Sequence, residues 1–328
     1  PLCDAILGLS NSRQILWELQ EAELFLIPLD LDMHWFRYHH LFADFLRLCL
    51  EDEQIDQIAN LHCRAAEWYE ANGYVDDALD HFLAAKEYTE AARLVEGHGR
   101  DLLEQSQLAT LMKWVEKIPD EYVCKRPWLC VYHAWALRLS GAKFQIVESR
   151  VIDARMALEK QGLLTLQTDF DEQAERSVEE SHRLMGHIIA LRAFQALYTE
   201  RIPQVIKLAE QAKTYNPEEG FVRSSIGFAL GWAYRFSGDL VASHQAFDET
   251  TSVSIKTGNI YMAVAAKCRN GYGKVLSGQL HQAAEHLREA EDISTSTDGL
   301  HLPVVGYAYV YLAGVLFEWN DLDRAMQY

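Results

Sequence analysis

No apolar run in these 328 residues approaches the roughly 18 that a membrane span needs, and no signal-peptide pattern opens the chain. A membrane partner is therefore excluded, and a cytoplasmic protein is expected. Basic charge is scarce: Lys and Arg number 30 against 48 Asp and Glu, for a formal net charge of −18. That balance repels phosphate backbones, so no direct nucleic-acid contact is expected from this stretch. The phosphate-cradling pattern G-x-x-x-x-G-K-[ST] is missing. The one Gly-Lys pair, Gly273-Lys274, is followed by Val275 and sits in a helical pattern. Cysteine is sparse and scattered (Cys3, Cys49, Cys63, Cys124, Cys130, Cys268), which suits reduced thiols. Cys124 and Cys130 flank Trp128 without a histidine to complete a zinc set, so no metal is expected. No Ser-His-Asp set or paired acid stands out, and His62-Cys63 and His81 lie at no nucleophile-and-base spacing. These absences argue against an enzyme and against a cofactor bound by these residues.

What is present is repetition. Leu230-Gly231, Tyr234, Gly238 and Phe247 set a frame with small or apolar residues at helix contacts, a glycine at the turn and an aromatic nine residues on. Aligned on that glycine, the frame recurs as Ala66, Tyr69, Gly73, Ala78, Phe82, Ala85, then Ala134, Leu137, Gly141, then Ala193, Ala196, Glu200, Ala212, Pro217. It returns as Gly271, Gly278, Ala283, Leu287, Ala290 and as Ala313, Leu316, Asn320, Ala325. A helix–turn–helix unit of about 34 residues is the tetratricopeptide pattern. Such a unit buries its apolar face only by stacking, and the stack presents a concave binding surface. With 49% apolar residues the chain has ample material for that core.

The first fifty residues break the frame. Asn11–Ala22 reads as a polar-capped helix, Phe25–Leu29 and Trp35–Tyr38 as short strands around an Asp30–Asp32 turn, and His40–Leu50 as a helix. Helix, hairpin, helix outlines a winged-helix module. The expected class is thus all-α, a tetratricopeptide-like superhelix of helical hairpins preceded by a small winged helix. Its divisions fall at 1–52 (winged helix), 53–126 (helical connector with degenerate repeats, broken at Pro119-Asp120) and 127–328 (sensor-type repeats). The segment 161–185 is an acidic insertion with Asp169, Asp171, Glu172, Glu175, Glu179 and Glu180, read as a solvated helix extension. Both termini look cut, since Pro1 replaces an initiator methionine and Tyr328 falls inside a hairpin. A longer protein is expected, and an uncapped repeat end leaves self-association open.

Phe36-Arg37-Tyr38-His39-His40-Leu41-Phe42-Ala43-Asp44-Phe45-Leu46, followed by His62-Cys63-Arg64-Ala65-Ala66-Glu67-Trp68-Tyr69, Gly73, Asp77-Ala78 and His81, resembles the MalT-type, ATP-dependent regulators of the LuxR family. These are transcription activators of the STAND class, and the likeness in motifs covers about residues 1–140. The resemblance implies an ATPase module ending in the winged helix, repeats that sense an inducer, and a DNA-binding helix-turn-helix beyond them. ATP or ADP is then implied for the full-length protein. It also implies a role for His39, which occupies the place where such proteins contact the nucleotide diphosphate and report its hydrolysis. The alternative for His39 is a helix N-terminal histidine packed on Trp35.

An aromatic column is the second candidate. In each first helix, frame positions 2, 5, 9 and 12 share one face. Position 9 reads Trp135, Phe194, Trp232 and Tyr272; position 12 adds Arg138 and Arg235; position 2 adds Trp128, His187 and Tyr307. Aromatic faces stack on sugar rings or peptide side chains, and guanidinium forks fix polar groups. Two readings stay open, a groove that binds and a filling between hairpins. The partner is a small-molecule inducer of a MalT-like activator or, alternatively, a peptide or protein held by a tetratricopeptide scaffold.

Overall fold

The computed structural model describes residues 1–30, 35–161, 172–199, 201–215, 220–295 and 303–328. They form two compact units, one of residues 1–97 with 114–122 and one of 98–113 with 123–328. Apart from one two-stranded ribbon, the regular elements described are helical.

The first unit opens with α1 (Leu2–Leu7), α2 (Ser12–Glu21), β1 (Leu26–Pro28), β2 (Phe36–Tyr38), α3 (His40–Ala71) and α4 (Val75–Ala84). β1 and β2 pair antiparallel, with Leu26 opposite Tyr38 and Pro28 opposite Phe36. α2, this ribbon and α3 make the helix–hairpin–helix outline read from the sequence, and α1, which that outline lacked, precedes them. Leu31 and Asp32 of the expected turn lie outside the described residues, while Asp30 accepts a 3.0 Å hydrogen bond from the Trp35 amide. α3 continues without a break past residue 52, because no Gly or Pro interrupts His40–Ala71. It stops at Asn72-Gly73, where Gly73 takes φ +80°. Trp68, at its C-terminal end, gathers Trp35 edge-on and stacks on Tyr74 at 6.2 Å. Ala66, Ala78, Leu79 and Phe82 close the α3–α4 core.

α5 (Tyr88–Glu104), α6 (Leu108–Glu116) and α7 (Asp120–Val123) carry the chain from one unit to the other. The second unit then runs as hairpins: α8 (Pro127–Leu139) with α9 (Phe144–Lys160), α10 (Glu172–Ala196) with α11 (Ile202–Tyr215), α12 (Gly220–Phe236) with α13 (Leu240–Lys256), and α14 (Ile260–Leu276) with α15 (Leu280–Thr295). α16 (Gly306–Glu318) and α17 (Leu322–Ala325) begin a further one. Each first helix packs on its own second helix, and α8, α10, α12, α14 and α16 also pack in succession on one another. This is the stacking the repeat frame demands.

The turn glycine has a local cause. Gly238 takes φ +85°, a left-handed conformation that L side chains resist, so the helix ends and the chain reverses there. Asn320 fills the same frame position at φ +59°, the substitution such a turn tolerates best. Helix contacts explain the small residues. Phe247 is fully buried, and its ring lies 2.7 Å from where a Cβ on Gly231 would stand, so α12 and α13 approach too closely for a larger residue. Glu200 and Pro217 of the frame lie outside the described residues. So does 162–171 of the acidic insertion, with Asp169 and Asp171, whereas α10 continues it from Glu172.

Candidate functional site

His39 caps α3. Its backbone is extended at φ −54° and ψ 136°, and its amide donates to the Phe25 carbonyl at 2.8 Å, tying helix to ribbon. The side chain is exposed and its ring faces His40 with centroids 4.3 Å apart. Trp35 turns elsewhere, toward Trp68 and Tyr74. The exposed imidazole thus stands beside a helix N-terminus, where free amides and the helix dipole favour an anion.

The column residues separate by depth. Trp135 is fully buried, enclosed edge-on by Phe194 and Phe221, and its Nε1–H donates to Nδ1 of buried His187 at 3.1 Å. Its place is between hairpins. Trp128 stacks on Tyr132 and donates to Glu180 of the acidic insertion at 2.9 Å. Tyr272 stacks on Tyr311 at 4.7 Å. Phe194 lies parallel to Phe228 at 5.6 Å, and Trp232 parallel to Phe236 at 5.3 Å.

Between them opens a cavity of about 450 Å³. Arg138, Phe194, Trp232 and Tyr307 of the predicted set reach it, whereas Trp128, Trp135, Arg235 and Tyr272 do not. Phe228, Phe236, Tyr261 and Arg269 complete its walls. Sequence reasoning missed Arg269, which stands one residue off the aligned helix face. Its long side chain reaches back over the rings: the guanidinium carbon lies 5.2 Å from the Trp232 centroid and 4.1 Å from that of Tyr307. It also donates to the Tyr311 hydroxyl, whose pKa burial pushes up, so that oxygen stays protonated. Arg235 sits behind Trp232, 5.6 Å from its centroid, and donates to the Arg269 carbonyl at 2.8 Å. Burial, and then the charge of Arg269, hold the Arg235 guanidinium below its usual range. The result is an aromatic-walled cavity with cationic edges, suited to binding. Among the described residues no cluster of three or more metal-ligating side chains occurs.

A ribbon-bearing winged helix and a series of tetratricopeptide hairpins define the class. Residues 1–58 match the MalT winged helix domain and residues 186–328 the MalT-like TPR region. The chain is therefore MalT-like in both of its recognisable parts. It is 25% identical over 319 residues to the HTH-type transcriptional regulator MalT of Yersinia pestis, covering 97% of this chain and 34% of that protein. It is 29% identical over 328 residues to the serine/threonine-protein kinase PknK of Mycobacterium tuberculosis, covering 99% of this chain and 28% of the kinase. The chain thus spans about a third or less of the relatives it matches. A solved STAND ATPase with a tetratricopeptide repeat sensor, from Pyrococcus horikoshii, aligns over 96% of this chain and 47% of its own at 14% identity and a TM-score of 0.47. No described helix is long and apolar enough to cross a membrane.

Proposed function

We propose that this chain is the ligand-sensing region of a cytoplasmic, MalT-like regulator of the LuxR family, and that a small-molecule effector occupies the cavity between its repeats. The observation that carries this reading is the cavity itself. Its volume of about 450 Å³ suits a small molecule, and its walls come from α8, α10, α12, α14 and α16. A volume of that size takes a compact ligand, whereas an extended peptide would run on beyond it along the first helices. The relatives support a regulatory rather than an output role: nearly the whole chain recurs in one protein named a kinase and in another named a transcriptional regulator. A region common to two different outputs supplies what they share, an input.

The mechanism is a two-state one. Effector binding favours one arrangement of the repeats and can shift the equilibrium only by its differential affinity for the two states. The winged helix passes that arrangement to an ATPase module, with His39 touching the diphosphate of bound ADP or ATP. In the full-length protein His39→Ala then speeds ADP release; equal release rates remove His39 from the mechanism.

The cavity is tested by a thermal-shift screen of the purified region against small metabolites, sugars and short peptides, because a ligand that binds only the folded state raises Tm by mass action. A concentration-dependent shift from one small molecule supports the sensor reading. Shifts from peptides alone would replace it with a peptide-binding scaffold. Trp232→Ala should weaken the active compound about tenfold, the worth of about 1.4 kcal/mol of ring contact, with the fold intact. Unchanged affinity would return Trp232 to packing.

A further inference from the structure

We propose that the ligand of this cavity is a small organic anion, with a flat or apolar body against Phe194, Phe228 and Trp232 and a carboxylate or phosphate held by Arg269. The inference rests on the sensing role proposed for the same cavity and names the chemistry of its ligand.

Charge pairing carries the argument. The chain holds 48 acidic residues against 30 basic ones, yet among the described residues no Asp or Glu lines the cavity, while Arg138 and Arg269 do. Several other arginines of this unit meet carboxylates: Arg150 with Asp153, Arg155 with Glu159, Arg192 with Glu148 and Arg223 with Glu249. Arg269 has no such partner among the described residues. Its contacts are the faces of Trp232, Tyr307 and Tyr311 and the Tyr311 hydroxyl, so most of its five N–H donors remain unused.

Arg235 deepens the imbalance. Its Nε and Nη2 are buried without a hydrogen-bond partner among the described residues. A Cβ on Gly273 would overlap its guanidinium, so the neighbouring helix makes room for it at that one position. Buried cations are ordinarily paired, because an uncompensated charge away from water is costly. Two adjacent guanidiniums that repel each other are stabilised together by one anion. Arg269 supplies the fork that reaches it, and Arg235 adds positive potential from behind Trp232. A neutral ligand could stack on the same rings but would leave that repulsion standing.

Three fluorinated probes of matched shape separate these cases by ¹⁹F line broadening at equal ionic strength: 4-fluorobenzoate, 4-fluorophenyl phosphate and 4-fluorobenzyl alcohol. The expected result is broadening of one or both anions at least fivefold greater than that of the alcohol. Whichever anion broadens more assigns carboxylate or phosphate. Arg269→Gln should abolish the anion preference, Arg269→Lys should keep a weakened one, and Arg223→Gln, on an exposed ion pair, should leave it intact. Circular dichroism and Tm establish that each variant is folded, and the Lys variant serves if the Gln variant is not. Equal broadening of alcohol and anions, lost together in Trp232→Ala, would overturn the anion and leave the sensing cavity standing. No broadening of any probe at millimolar concentration would also overturn the anion, and the metabolite screen would then decide the cavity separately.

Discussion

Nδ1 of His62 and Nδ1 of His81 stand 2.8 Å apart between α3 and α4, so one ring must donate while the other accepts. Charging both would put two cations in contact on a half-buried surface, with Tyr69 stacked on His81 at 5.3 Å. Burial, then His62, depresses the His81 pKa from 6.5; Asp77 and Asp80 on α4 oppose the shift without cancelling it. A histidine whose pKa is lower folded than unfolded binds more protons when unfolded, so stability falls as pH falls below about 6.5. The loss is complete once pH is below the folded value. The expected outcome is a lower urea midpoint at pH 5.5 than at pH 7.5, with His81→Gln flattening that slope. His286, depressed by burial and by Lys267, acts in the same direction in the second unit and leaves a residual slope. A slope unchanged by His81→Gln would remove the pair from this account. The cavity shows where single residues cease to be legible. Trp135 and Trp232 occupy one frame position, yet Phe194, Phe221 and His187 seal the first while the second faces open space. Frame position fixes the direction of a side chain; its depth depends on what neighbouring hairpins bring. Arg269 escaped the frame for a related reason, since a long cation reaches a face its Cα does not share.

At the scale of the element, the hairpin is written in local terms, and that is why the repeats could be read directly. The turn after α12 needs a left-handed residue, and the next helix needs a cap: Asp239 accepts from the Ala242 amide at 3.0 Å. Gly238→Val should cost about 1–2 kcal/mol, the penalty for an L residue held in that conformation, and Gly238→Asn distinctly less, as Asn320 does the same work in the last hairpin. Asp239→Ala should cost about 1 kcal/mol through the lost cap. Urea denaturation orders the three, and a harmless valine would mean that the turn relaxes. Gly231→Ala is a different case. The Phe247 ring blocks the new methyl, so a loss of about 1–3 kcal/mol is expected, with partial rescue by Phe247→Leu. If the double variant is no more stable than the single, the close approach of α12 and α13 is not the cause. The length of α3 was equally available in principle. From sequence, one helix ends at Leu50 and a module boundary falls at 52 with helix resuming beyond it, whereas α3 runs unbroken from His40 to Ala71 and stops only before Gly73.

For the molecule as a whole, repeats that touch only their neighbours tend to open locally, because stability is close to a sum of unit and interface contributions. The cavity changes that sum. Side chains from α8, α10, α12, α14 and α16 all reach it, so a ligand inside adds to every opening that would break its walls. At a ligand concentration a hundred times Kd the addition is about 2.7 kcal/mol. Hydrogen exchange should therefore slow in these first helices together, by up to about a hundredfold, when the compound with the largest thermal shift is present. Exchange in the solvent-facing ends of α9, α11 and α15 should change less, since those helices give the cavity no side chain. Protection confined to α12 and its Trp232 would mean that the ligand is held by one hairpin and cannot bias the arrangement of the others. Concerted protection across the five helices would mean that ligand free energy is spent on the relation between hairpins, which is the quantity a sensor has to change.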